Sequence, residues 1–141
     1  MTVNQVEQEL MSYISDHKIW NTHSHHLPEQ AMQDFNLDKL ISHTYLQWQQ
    51  ITPGTTAESR SAYLEKVRYK SYFVWLQKAI GELYGISEPI TAKNWDQISE
   101  EIRKAHQNPS FYMDVLKNKC KYQKIIVDTY WNPGSDNGRP E

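Results

Sequence analysis

Through most of this chain apolar side chains recur every three to four residues, and only near the two ends does the pattern change to a short run. Val3, Val6, Leu10, Tyr13 and Ile14 fall at helical spacing. They predict an amphipathic helix from Thr2 to about Ser15, packing one face on a core and ended by Asp16-His17. Lys18 to Thr22 then reads as a short first strand, and Pro28 opens a short helix. Leu37, Leu40, Ile41, Tyr45 and Trp48 mark another helical stripe. Pro53-Gly54 punctuates it, and Thr55 to Ser59 reads as a polar loop. From Glu58 to about Leu83 the pattern predicts one long helical region with Tyr63, Val67, Val74, Ile80 and Leu83 inward and Gly85 placed to stop it. Asn94, with Gln97 three residues on, predicts a helix start. Trp95, Ile98, Ile102 and Ala105 form its apolar stripe, with acids early and bases late as the helix dipole prefers. Asn108-Pro109 starts a last helix that turns Tyr112, Val115 and Leu116 inward.

The run from Lys124 to Trp131 is the clearest strand. It is rich in β-branched residues and continuously apolar at its centre, as in a parallel strand covered on both faces. Residues 132–141 follow as a loop. Two buried strands separated by roughly 100 residues of helix exceed a usual βαβ crossover. The expected fold class is therefore α/β, helix-rich as it stands, and the chain reads as the opening of something larger. It forms a single region: helix and first strand (1–27), helical insertion (28–120), second strand and following loop (121–141).

Charge and composition narrow the function classes. The 15 basic and 17 acidic residues leave a net charge of -2, and no long basic run appears, so neither nucleic acid nor an acidic membrane is an expected partner. Cys120 is a lone thiol and implies no oxidising compartment. The N-terminus lacks a secretory pattern and no stretch is long and apolar enough to span a bilayer, so the expected location is the cytoplasm.

The candidate chemistry lies in Asn21-Thr22-His23-Ser24-His25-His26-Leu27. Side chains alternate along a strand, so His23 and His25 are expected to share a face at the end of the first strand, where two imidazoles can share one cation. Zinc takes neutral imidazole nitrogen but needs three or four protein ligands, so the pair makes half a site. An H-x-H alone is weak. Its place at the carboxyl end of an apolar strand, where α/β folds put their ligands, gives it weight. His26 would face the other way.

Ile19-Trp20-Asn21-Thr22-His23-Ser24-His25-His26-Leu27-Pro28 resembles the first-strand signature of the amidohydrolase superfamily, and most of all its uronate isomerase branch. The likeness extends to the helix before the first strand and to the long helical insertion with Tyr45, Trp48 and the aromatic segment Ser71 to Leu76. It also takes in the strand end Asp128-Thr129-Tyr130-Trp131. Asn21 stands where family members commonly carry Asp. The resemblance implies the N-terminal portion of a metal-dependent (β/α)8 TIM barrel with a helical insertion between strands 1 and 2. His23 and His25 would ligate a divalent metal, foremost zinc, and Tyr45 would contact a sugar-acid substrate. The implied reaction is aldose–ketose isomerisation of a hexuronate. The same H-x-H serves metal-dependent hydrolases of the superfamily, so the motif does not choose between them.

The catalytic residues and remaining ligands are expected on later strands, so this chain alone is expected to be inactive. Its exposed strand edges imply self-association or a homo-oligomer. A non-catalytic helical interaction module is the alternative. Asp128 is expected to cap its strand and Arg139 to be a solvated charge. His43 is expected to be structural, and so is His106, partly positive in the last turn of its helix. Cys120 is expected to be a small buried side chain.

Overall fold

The computed structural model of the chain describes residues 3–24, 27, 29–46 and 52–127. They fall into two units, Met1–Pro28 with Tyr112–Glu141, and Glu29–Phe111.

In the first unit, α1 (Val3–Asp16) forms where the helical spacing predicts. Its expected packing does not: none of its residues is buried, and Val3, Leu10, Met11 and Ile14 are all more than half exposed. The helix is tied at its C-terminal end instead. The His17 ring lies 2.6 Å from the Tyr13 carbonyl oxygen, and the Lys121 ammonium donates to the Ser15 carbonyl. β1 (Ile19–Ser24) and β2 (Tyr122–Val127) pair in parallel as a two-stranded sheet, with Trp20 opposite Lys124 and Asn21 opposite Ile125. The parallel pairing is as expected, the burial is not. Ile19, Trp20 and Ile126 stay exposed, while Tyr122 and Ile125 are half-buried, because two strands alone form a sheet that the described elements cover only in part. Trp20 makes local use of its exposure. Its indole N–H donates to Gln123 Oε1 at 3.2 Å, and the Lys124 ammonium sits 5.4 Å from its ring. Lys121 enters β2 with φ 53, a left-handed turn that costs about 1 kcal/mol in a residue with a Cβ.

The last helix starts later than Asn108-Pro109 predicts. The Asn108 side chain takes the Ser110 N–H at 3.1 Å and holds a turn first. α6 (Phe111–Asp114) then widens into a π-helical turn over Val115–Lys119. Tyr112 and Leu116 are buried as expected, Val115 only partly.

In the second unit a short 3-10 turn (Glu29–Met32) precedes α2 (Leu37–Ser42), α3 (Ala57–Val67), α4 (Ser71–Tyr84) and α5 (Trp95–His106). Asn36 caps α2 by accepting the Lys39 N–H at 2.9 Å. The stripe beyond it does not hold: α2 ends at Ser42, Tyr45 is exposed, and Trp48 lies outside the described residues. α3 starts inside the expected loop, since Ser59 is recruited into a capping box. Thr56 Oγ1 accepts the Ser59 N–H at 3.2 Å, and Ser59 Oγ accepts the Thr56 N–H at 3.1 Å. The long helix expected from 58 to 83 is two helices, broken at Arg68-Tyr69-Lys70. An unbroken helix would set Val67 and Phe73 roughly 120° apart around its axis, whereas the break lets both be buried. Val74 stays exposed. Gly85 ends α4 in the left-handed conformation, φ 71, its N–H bonded to the Gly81 carbonyl at 3.0 Å. α5 starts at Asn94 as predicted, but the Asn94 side chain turns back to the preceding loop, accepting the Thr91 N–H at 2.7 Å.

Leu37, Ile41, Tyr63, Ile80, Trp95 and Ile102 lead a core that draws on all four helices. Trp95, fully buried, meets Tyr63 edge-on at 6.2 Å and donates its indole N–H to Asp38 Oδ1 at 3.3 Å. The Arg60 guanidinium lies 5.4 Å from the same ring and pairs with Asp96 at 2.8 Å. Burial pushes the Tyr63 phenol up to about 12. Among the described residues no helix is long and apolar enough to cross a membrane.

Candidate metal centre

The site predicted from the H-x-H begins on β1. His23 is the fifth residue of that strand and is exposed. Strict alternation does not run up to it. The register shifts twice, between Ile19 and Trp20, where one step on β1 opposes two on β2, and between Asn21 and Ser24, where three steps on β1 oppose two on β2, a bulge beside His23. Such a bulge re-aims side chains and is common at ligand sites. Asn21 supports it, since its side-chain oxygen takes the His23 backbone N–H at 3.3 Å. The carboxamide at this position therefore serves the local backbone.

His25, the partner ligand, lies outside the described residues, as do His26, Asp128 and Arg139. Among the described residues, no three His, Cys, Asp or Glu come together as a cation site. Held to the donor chemistry of zinc, which needs three or four ligands, the described residues do not complete a metal centre, and no reaction step is assigned to one.

Tyr45, the predicted substrate contact, belongs to the other unit. It is half exposed, and its ring packs against Tyr72 at 5.2 Å, tilted by 55°. Tyr69, Tyr72 and Trp75 are exposed in the same stretch of chain. The Arg68 guanidinium lies 4.8 Å from the Tyr69 ring and the Lys78 ammonium 4.4 Å from Trp75. Tyr72 and Trp75 lie on the solvent side of α4 and Tyr69 in the turn before it.

His106 is buried in the helical unit, as a structural residue would be, whereas His43 is exposed. His43 stacks on Phe35 at 5.6 Å. The partly positive state expected of His106 is not supported, because its side of the last turn of α5 is buried while Arg103 and Lys104 on the same turn are exposed. His106 is 8% exposed among Phe35, Tyr84 and Phe111, and burial lowers its pKa, outweighing a hydrogen bond with the Met32 backbone. Its Nε2 lies 2.9 Å from the Tyr84 hydroxyl, itself raised to about 12 by burial. Cys120 is half-buried, and burial raises its thiol pKa.

No protein-family model, no curated protein and no solved structure matches this chain.

Proposed function

We propose that the chain supplies the first two strands of a (β/α)8 barrel of the uronate isomerase type, with His23 and His25 as the first two ligands of a divalent metal. The supporting observation is that β1 and β2 pair in parallel although residues 25–121, mostly helical, lie between them. That is the strand order and connection expected from the amidohydrolase likeness. The exposed faces of both strands, with Ile19, Trp20 and Ile126 uncovered, suit a sheet that neighbouring strands and helices extend. The bulge beside His23 suits a ligand-bearing strand end. The substrate class on this reading is a hexuronate, and the reaction is transfer of a proton between its first two carbons.

Zinc titration calorimetry at neutral pH on wild type and on His23→Ala/His25→Ala tests the ligand pair. Binding by wild type that the double variant loses is the expected result. Equal binding by both proteins, or none by either, refutes the pair as a ligand set in this chain. A second reading, a helical interaction module, draws on the closed core of Glu29–Phe111, which needs no sheet. It is favoured if that unit keeps its fold while zinc binding is absent.

A further inference from the structure

Among the described residues, two surfaces of opposite character are exposed. The first is α1. Val3, Val6, Leu10, Met11 and Ile14 form an apolar face around Glu7, with exposures from 41% at Val6 to 84% at Val3. The helix carries three acids, Glu7, Glu9 and Asp16, and no base. The second surface is the outer side of α4 and the turn before it. Tyr69, Tyr72 and Trp75 are 82%, 55% and 66% exposed, with Tyr45 against Tyr72. Residues 66–81 carry Lys66, Arg68, Lys70 and Lys78 and no acid, bounded by Glu65 and Glu82. The cations of Arg68 and Lys78 lie against aromatic rings on this surface.

We propose that α1 of one copy docks its apolar face, which carries Glu7, on the basic, aromatic surface of α4 in a second copy. The chemistry of each surface is what the other lacks. Aliphatic side chains meet open aromatic rings, and a helix with acids only meets a segment with bases only. Opposite potentials of this kind steer association and select partners. Size sets the strength. A 14-residue helix is about 21 Å long, so its single face buries well under the roughly 800 Å² per partner of a standard stable interface. The contact is consequently weak and concentration-dependent. It is also head-to-tail, since the two surfaces differ, and so builds open chains or rings. Aromatic rings among bases also fit single-stranded nucleic acid, but the net charge of -2 and the acidic helix oppose a polyanion. The contact does not depend on the proposed metal site.

Sedimentation velocity over a concentration series, at low and high salt, tests the contact with two variants. Leu10→Glu spoils α1, and Trp75→Glu/Lys78→Glu spoils the acceptor surface. All three positions are exposed, and circular dichroism checks that each variant is folded. The expected result is wild-type association that weakens with salt and is lost in each variant alone. Mixing the two variants should restore one contact, giving a heterodimer and nothing larger. A wild type that stays monomeric overturns the proposal, whether α1 is free or docked within its own chain. So does association that survives either variant, or a mixture that stays monomeric. Capture of a labelled single-stranded oligonucleotide by monomeric wild type, lost on Trp75→Glu/Lys78→Glu, also overturns it in favour of a polyanion.

Discussion

His106 should make the helical unit acid-sensitive, and the sign and ceiling of the effect follow from where the ring sits. It is 8% exposed among Phe35, Tyr84 and Phe111, with Nε2 against the Tyr84 hydroxyl at 2.9 Å. Burial lowers its pKa below the ordinary 6.5, so the unfolded chain takes up a proton at a pH where the folded one does not. Between 6.5 and the lowered folded value, the unfolded state binds more protons and stability rises with pH. The stabilisation is complete above about 6.5, falls as pH drops through the window, and levels off once the folded ring also protonates. One proton sets a ceiling of about 1.4 kcal/mol per pH unit on the slope. Urea unfolding followed by circular dichroism, at intervals from pH 8 to pH 5, gives the slope. His106→Phe keeps an aromatic ring in the cluster and removes the titration. Its cost at the Tyr84 hydroxyl is nearly independent of pH, so the difference in slope isolates His106 from the other five histidines. Parallel curves for the two proteins, or a wild type that gains stability relative to the variant on acidification, would refute the assignment of a buried neutral imidazole.

Other substitutions test other parts of the same structure. Trp95→Ala removes the fully buried indole between Tyr63 and Asp38 and should cost about 3–5 kcal/mol; a urea-measured loss below about 1 kcal/mol would remove it from the centre of the core. Thr56→Ala breaks the capping box of α3 and should cost about 1 kcal/mol in the same assay, while Thr56→Ser should be nearly silent. At Gly85 a Cβ meets no atom within 4 Å, so Gly85→Ala should show only the left-handed strain, about 1 kcal/mol. Burial raises the Cys120 thiol, so its reaction with a disulfide reagent near pH 8 should be slower in the folded chain than in urea, and equal rates would contradict the burial.

The elements legible in the sequence were those whose signal is local. The stripe of Trp95, Ile98 and Ile102 gave α5 its buried face, Gly85 stopped α4, and the β-branched run gave β2 its parallel partner. What failed depended on tertiary context. Spacing alone could not say whether the apolar face of α1 has anything to pack on. It also could not place the break at 68–70, which serves the joint burial of Val67 and Phe73. The Asn94 side chain had two competing uses, the helix start and the Thr91 loop, and only the loop contacts decide between them. The register shift between Asn21 and Ser24 is a property of the pair of strands and cannot be read from either one, and the shared face expected of His23 and His25 extends beyond the described residues.

Burial differs between the two units. Within Glu29–Phe111, where helices bury one another, expected inward positions such as Tyr63, Val67, Ile80 and Ile102 are inward. In the unit that carries the candidate ligand, the apolar residues of α1, with Ile19, Trp20 and Ile126 of the sheet, face outward. A chain does not conserve the energy of burial on surfaces it leaves wet, since each exposed aliphatic side chain forgoes about 1.5–3 kcal/mol. The barrel reading and the self-docking reading each require part of this surface to be covered, the sheet in one and α1 in the other, while the exposed Tyr69, Tyr72 and Trp75 of the helical unit are the acceptor in the second. Covering the sheet faces by further strands would bury Ile19, Trp20 and Ile126 and leave the α1 contact intact. Loss of self-association in Leu10→Glu together with unchanged zinc binding would accordingly separate the two surfaces, because Leu10 belongs to one and His23 to the other.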